Sequence, residues 1–266
     1  MKFDLVAVDL DGTLLGANNQ VSAQVAEAIK AVQDRGVKVT IATGRMFVSA
    51  QRFAQQFDIE TPIICYQGAQ VRLPTTGETI SETLVPMDIA ARVIQYCRQN
   101  EYHVNAFRGD SVFMEELTAA GEFYLGLSGV EGTVVGDLSE WLAGDVLKLV
   151  IVTDEPTTVT IIDDLRGEFG DRLNVTRSYP IFAETISPLA SKGHALTALA
   201  AHLNIPIERV MGIGDNLNDL DLVVTAGFGV AMGNGAAEVK AQADYVTDHV
   251  DDDGVATALE KLILQA

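Results

Sequence analysis

The stretch Lys2–Asp9, KFDLVAVD, is a Val-rich apolar run that closes on an acid and meets Gly12 three residues later. That pattern predicts a buried strand delivering a carboxylate into a turn. The scheme then repeats. Val21, Val25, Ile29 and Val32 recur at helical spacing around Ser22, a good cap, and Gly36 ends the helix. Val37–Ala42 (VKVTIA) reads as a second strand, broken at Thr43-Gly44-Arg45. A helix from about Met46 to Phe57 leads past Pro62 to a third strand over 63–66. Strand, helix, strand, helix, strand in that order predicts an α/β fold, a parallel sheet with helices on both faces.

From about Thr83 the rhythm changes. Ile89, Val93, Ile94 and Cys97 mark a helix, and strand-like stretches follow at 102–107 and 111–114. A helix over 119–127, the long β-branched run 146–153, a helix near 158–169 and strands near 173–176 and 181–185 complete a mixed section. Hairpin-like pairs rather than crossovers make this an inserted α+β domain. After Ser187-Pro188 the first rhythm returns. Leu196, Leu199 and Leu203 give a helix, Arg209–Ile213 a strand, and a helix near Asn218 precedes strands at 229–232 and 245–247 and a last helix over 255–264. The expected division is a core of 1–82 and 187–266 interrupted by an insert of 83–186.

Composition narrows the function classes. The net charge is −19, from 37 acids against 18 bases, with no basic stripe, so neither nucleic acid nor a membrane surface is an expected partner. No apolar run approaches the ~20 residues of a membrane span, and Met1-Lys2-Phe3-Asp4 meets an acid at once, so neither an anchor nor a signal peptide is expected. Cys65 and Cys97 lie in apolar-periodic segments without CxxC spacing and read as reduced thiols of a cytoplasmic protein.

Four short motifs could carry chemistry. Asp9-Leu10-Asp11-Gly12-Thr13 sets two carboxylates at a strand's carboxyl end, where open α/β sheets collect ligands. Such a pair shares either a proton or a cation. A helix–loop–helix calcium loop fails on spacing, since glycine falls fourth and Gln20 stands where the twelfth-position acid belongs. Thr43-Gly44-Arg45 offers a hydroxyl, an amide and a guanidinium to phosphate oxygens, although strand–Thr-Gly turns are common. Ser191-Lys192-Gly193 starts a helix and adds a lysine to its positive end, although an exposed first-turn lysine is the blander reading. Gly214-Asp215-Asn216-Leu217-Asn218-Asp219 again places acids after a strand and suits a hard cation held by oxygens. No GxxxxGK[ST] loop occurs, Gly227–Met232 lacks the third glycine of a dinucleotide fingerprint, and the four histidines have no zinc spacing.

In this order and at these separations, DxDGT, Thr-Gly-Arg, Ser-Lys-Gly and GDxxND resemble the haloacid dehalogenase superfamily, in particular its Cof-type branch with a C2-type α/β cap. The resemblance spans the chain and includes VAMGN at 230–234 and the wording of 243–247 and 253–256. Two departures stand out: Gln67-Gly68-Ala69 replaces the usual Asn-Gly-Ala, and Asp221 replaces a usual Met.

The resemblance implies a Rossmann-like core with an inserted cap, and a phosphatase of small phosphate monoesters such as sugar phosphates or related metabolites. It implies Asp9 as nucleophile and Asp11 as general acid and base, with Mg²⁺ held by Asp9, the Asp11 carbonyl and Asp215. Leu10 through its amide, Thr43, Gly44, Arg45, Lys192 and Asn218 would bind phosphate. Asp219 would orient Lys192 or a metal-bound water. The cap would close over the site and supply most leaving-group contacts. A phosphohexomutase-like transferase and a silent metabolite-binding regulator are the alternatives. The cap's specificity residues, the oligomeric state and the effect of Gln67 stay open.

Overall fold

The structure is a computed structural model that describes residues 2–16 and 19–265. Residues 1, 17, 18 and 266, which the expected core range includes, lie outside the described residues. In chain order the first piece comprises β1 (Leu5–Val8), α1 (Ala23–Asp34), β2 (Lys38–Ile41), α2 (Phe47–Gln56), β3 (Ile63–Cys65), β4 (Gln70–Arg72) and β5 (Thr79–Glu82). The middle holds α3 (Met87–Gln99), β6 (His103–Arg108), β7 (Ser111–Met114), α4 (Ala119–Ser128), β8 (Gly132–Val134), α5 (Leu138–Trp141), β9 (Lys148–Val152), α6 (Glu155–Phe169), β10 (Asn174–Tyr179) and β11 (Phe182–Ile186). The last piece holds α7 (Lys192–His202), β12 (Val210–Gly214), α8 (Leu220–Thr225), β13 (Phe228–Ala231), α9 (Ala237–Gln242), β14 (Tyr245–Val246) and α10 (Gly254–Leu259).

Two compact units result. One contains the chain up to Gly44, Ala50–Ile80 and everything from Ser191; the other contains Arg45–Ser49 and Ser81–Ala190. The first is built on a parallel sheet of order β14-β13-β12-β1-β2. All four residues of β1 and all five of β12 are buried, as helices on both faces require. Val8 lies beside Ile213 on one side and Ile41 on the other, so the chain leaves three adjacent strands at one rim. From β1 the topology runs outward to β2 in one direction and to β12, β13 and β14 in the other. That reversal opens a crevice beyond the carboxyl ends.

The predicted third parallel strand needs a correction. β3 pairs antiparallel with β4 in a separate sheet of order β3-β4-β5 and meets the residue after β2 through a parallel bridge, Ala42 to Ile64. Tyr66, Gln67 and Gly68 follow at φ 52°, 56° and 92°. Three left-handed residues reverse the chain at once into β4, so β3 takes its register from Ile63 opposite Arg72 and Cys65 opposite Gln70.

The second unit is a sheet of order β10-β11-β9-β6-β7-β8, antiparallel except for β7 with β8. Along β9, Leu149 and Ile151 join the core with Val93 and Ile94 of α3 and Ile161 and Leu165 of α6. Period two sends Lys148 and Val150 to the opposite face. There Tyr124 of α4 packs its ring on Phe107 and Phe182, and Lys148 Nζ donates to Glu184 Oε2 at 3.2 Å in a buried pair. Both cysteines are free thiols, and burial pushes the Cys97 thiol well above its ordinary range. Among the described residues no helix is long and apolar enough to cross a membrane.

Helix α1 shows how local and tertiary terms divide the work. Ser22 Oγ accepts from Val25 N at 3.1 Å, and Val25, Ala28, Ile29 and Val32 form its buried stripe. We expect Ile29→Ala to lower unfolding free energy by about 2–5 kcal/mol in urea titrations. Lys30→Ala, on an exposed ion pair with Asp34, should change it by less than ~0.5 kcal/mol. Equal effects of the two would contradict the assigned faces.

Candidate active site

The loop after β1 is held before any ligand is considered. Asp9 N donates to Ile213 O at 3.0 Å and Ala42 N to Val8 O at 2.9 Å, which fixes the rim between β2 and β12. Leu15 N returns to Leu10 O at 2.7 Å, closing the loop over Leu10, whose side chain is buried. Gly12 has φ +87°, and a Cβ there would lie 2.4 Å from Asp215 Oδ2. Glycine is therefore required on two counts, conformation and room. Thr13 Oγ1 donates to Asp215 Oδ1 at 3.1 Å, and Asn234 Nδ2 to Gly12 O at 2.8 Å.

Lys192 is the first residue of α7, behind Ser191, whose Oγ accepts from His194 N at 3.1 Å. The exposed-lysine reading fails, since Lys192 is only 1% exposed. Its Nζ donates to Asp9 Oδ1 at 2.6 Å and to Asp219 Oδ1 at 2.5 Å. Asp219, fully buried, accepts on Oδ2 from the amides of Asp215 and Asn216, each at 3.1 Å. Asp221, in place of the usual Met, accepts from Gly193 N at 2.9 Å and so satisfies an amide in the first turn of α7.

The electrostatics follow from burial. Desolvation pushes Asp9 well above the ordinary carboxyl range, Asp219 and Asp215 push it further, and Lys192 opposes them. Burial and the Asp219 charge push Asp215 up to about 6. For Lys192, burial works against the ammonium, but Asp219 and Asp9 together outweigh it and hold the lysine charged.

Of the remaining candidates, Thr43 and Gly44 follow β2 and Asn218 follows β12. Thr43 is buried, with its amide donating to Ile64 O at 2.8 Å and its carbonyl accepting from Gln67 N at 3.1 Å. Asn218 Nδ2 donates to Gln67 Oε1 at 3.1 Å, and Gly44 packs so closely on Gln67 that a Cβ would fall 2.4 Å from its Nε2. Asp11 is exposed two residues beyond Asp9, and Arg45 is half-buried directly after Gly44. Asp9, Asp215, Asp219 and Lys192 thus form one tight cluster, and Thr43, Gly44 and Asn218 gather around Gln67. Thr13, Asn234 and Gln67 make links that the sequence motifs do not specify. Thr13 stood inside the first motif and Gln67 at a noted departure, so both carried a signal; Asn234 carried only its place in VAMGN.

One oxygen from each of Asp9, Asp215 and Asp219 lies within 4.8 Å of the others. Three clustered acids against one ammonium leave about two negative charges uncompensated, a costly arrangement in a poorly solvated site. An oxygen-ligated dication fits this donor set in charge and in hardness. Asp219 has both oxygens engaged, whereas Asp9 Oδ2 and Asp215 Oδ2 accept no hydrogen bond from the described residues. The donors for a cation are therefore chiefly Asp9 and Asp215.

Comparison with known proteins agrees with this architecture. The haloacid dehalogenase-like hydrolase family matches residues 6–259. A 5-amino-6-(5-phospho-D-ribitylamino)uracil phosphatase of Bacillus subtilis, YitU, is 32% identical over 97% of this chain and 96% of its own length. The HMP-PP phosphatase of Serratia proteamaculans is 28% identical, covering 90% of this chain and 86% of its own. A haloacid dehalogenase-like hydrolase from Bacteroides thetaiotaomicron superposes with a TM-score of 0.89 at 28% identity, over 98% of this chain and 100% of that one. The chain belongs to the haloacid dehalogenase-like hydrolases. Within them it is a phosphoric monoester hydrolase.

The raised Asp215 carboxyl has a measurable consequence. The folded chain keeps that proton to higher pH than the unfolded chain does. Stability of metal-free protein should therefore fall as pH climbs from about 4 through about 6 and stay reduced above. Metal-free Asp215→Asn should melt above wild type at pH 7, by at most ~3 kcal/mol, with the gap closing near pH 4. A gap independent of pH would refute the charge argument.

Proposed function

We propose that this chain hydrolyses small phosphate monoesters with magnesium, passing through an aspartyl-phosphate on Asp9. The observation that carries the reading is the buried ammonium of Lys192 set between Asp9 and Asp219, with Asp215 beside them. It gives a strand-end carboxylate both a fixed position and positive charge for an incoming phosphate dianion.

In this mechanism a lone pair of the Asp9 carboxylate forms a bond to phosphorus as the bond from phosphorus to the leaving oxygen breaks. Asp11 gives its proton to that oxygen. It then takes a proton from the water that attacks phosphorus and releases orthophosphate, which regenerates Asp9. The exposure of Asp11 suits a group that must exchange protons with solvent. Lys192 offsets charge shared by nucleophile and phosphoryl group, and Asp219 holds Lys192 in place. Thr43, Gly44, Asn218, the Leu10 amide and Arg45 are the donors assigned to phosphoryl oxygens. Asp9, Asp215 and the Asp11 carbonyl would hold magnesium, which when bound neutralises charge on nucleophile and substrate.

A small phosphorylated metabolite is the substrate class we infer. Two relatives are named for substrates of that size, a ribitylaminouracil phosphate and HMP-PP. The inserted unit, 83–186 in the sequence reading, is the part we assign to recognition of the leaving group.

A screen of phosphorylated metabolites with Mg²⁺, scored by released orthophosphate, tests the reading. Asp9→Asn should lower turnover by about 10³-fold or more while circular dichroism stays that of wild type, and a chelator should abolish activity. Transfer of phosphate to a second sugar position without orthophosphate release would instead mark a mutase. Asp9→Asn activity within tenfold of wild type would remove Asp9 from the role.

A further inference from the structure

Gln67 lies in the left-handed turn between β3 and β4, with Tyr66 and Gln67 both at positive φ without being glycine. Strain of that kind persists where surroundings hold it, and it concentrates at ligand sites. Here three neighbours hold the turn. Gln67 N donates to Thr43 O at 3.1 Å, Asn218 Nδ2 donates to Gln67 Oε1 at 3.1 Å, and Gly68 sits against the backbone ahead of Lys192. A Cβ on Gly68 would lie 2.1 Å from Ser191 O. One turn therefore links three of the elements that the phosphatase reading sets around the phosphate: the Thr43-Gly44 loop, the start of α7 and Asn218.

The side chain it presents is incomplete in its bonding. Gln67 is 4% exposed, and its Nε2 has no hydrogen-bond partner among the described residues. Buried amide donors are rarely left so, because desolvation without a partner is unfavourable. The bond from Asn218 fixes the oxygen end of the amide, which turns the nitrogen toward Gly44, where only the absence of a Cβ leaves room.

We propose that Gln67 Nε2 donates a hydrogen bond to a non-bridging phosphoryl oxygen of the substrate, in one cradle with Thr43, Gly44 and Asn218. The assignment rests on the phosphatase reading and adds a donor to it. It also explains how a strained, buried glutamine serves at this point, since it anchors the cradle with its oxygen and binds with its nitrogen.

Gln67→Glu separates the two functions. It keeps an oxygen for Asn218 and replaces the donor by an anionic acceptor; Gln67→Leu removes both. The full chain with Mg²⁺ is assayed with p-nitrophenyl phosphate, using inorganic phosphate as competitive inhibitor. Melting temperature is measured alongside. Gln67→Glu should raise the inhibition constant for phosphate about tenfold or more, with a fold close to wild type, because a bond to a charged oxygen is lost. Gln67→Leu should weaken phosphate to a similar degree.

A folded Gln67→Glu whose inhibition constant stays within twofold of wild type overturns the proposal. Should both variants fail to fold, the wild type decides by itself. Its Gln67 side-chain amide resonances in an ¹⁵N spectrum should shift on adding phosphate, and unmoved resonances overturn the assignment. A wild type that neither releases nor binds phosphate sinks the phosphatase reading and this one together. An active wild type with an indifferent Gln67→Glu sinks only the role of Gln67.

Discussion

Lys192 holds its ammonium almost wholly out of water between Asp9 and Asp219, and the rest of the site is arranged around that pairing. A buried charge survives only if its partners are fixed and the remaining lone pairs are satisfied. The chain meets both conditions. Asp219 spends its second oxygen on the amides of Asp215 and Asn216, so the turn after β12 is built on the same carboxylate that holds the lysine. Asp9 is placed by the parallel ladder itself, through its amide on Ile213 O. Strand order, helix start and turn geometry thus converge on one ammonium.

That convergence leaves an excess of negative charge, which is the functional part of the design. A lysine alone cannot balance Asp9, Asp215 and Asp219, and burial together with the Asp219 charge pushes the Asp215 carboxyl up to about 6. The structure stores an electrostatic imbalance that a hard cation would relieve, and the oxygens of Asp9 and Asp215 without hydrogen-bond donors among the described residues are the candidates to take it. Asp11, exposed and two residues from the buried Asp9, adds a lesser upward push to the Asp9 and Asp215 carboxyls. Two carboxylates of one short motif therefore face opposite environments, which suits the two different roles proposed for them.

The second unit follows a different logic. Its core lies between one face of an antiparallel sheet and the helices α3 and α6, and the other face carries Tyr124, Phe107, Phe182 and the buried Lys148–Glu184 pair. None of these residues belongs to a recognisable motif. Their chemistry is set by cross-strand neighbours, which short-range sequence patterns do not encode.

The amino-acid order by itself determined the α/β core, the inserted domain and the strand-end acids, because apolar periodicity and glycine breaks are local signals. Asp9 and Asp215 stand out for the same reason, each following a strand, whereas Lys192 reads locally as an exposed first-turn lysine and joins them only through the order of the four motifs. Tertiary structure alone decided that Lys192 is buried, that Asp219 bonds Lys192, one of the two partners expected for it, and that Thr13 and Asn234 tie the first loop to segments 202 and 222 residues away. It also decided that β3 turns back into its own small sheet. Tyr66 and Gln67 carry no turn signature, and their left-handed backbone is imposed by Thr43, Ser191 and Asn218. Partners that far apart in the chain meet only through the packing of the whole sheet, so no window of sequence could contain them.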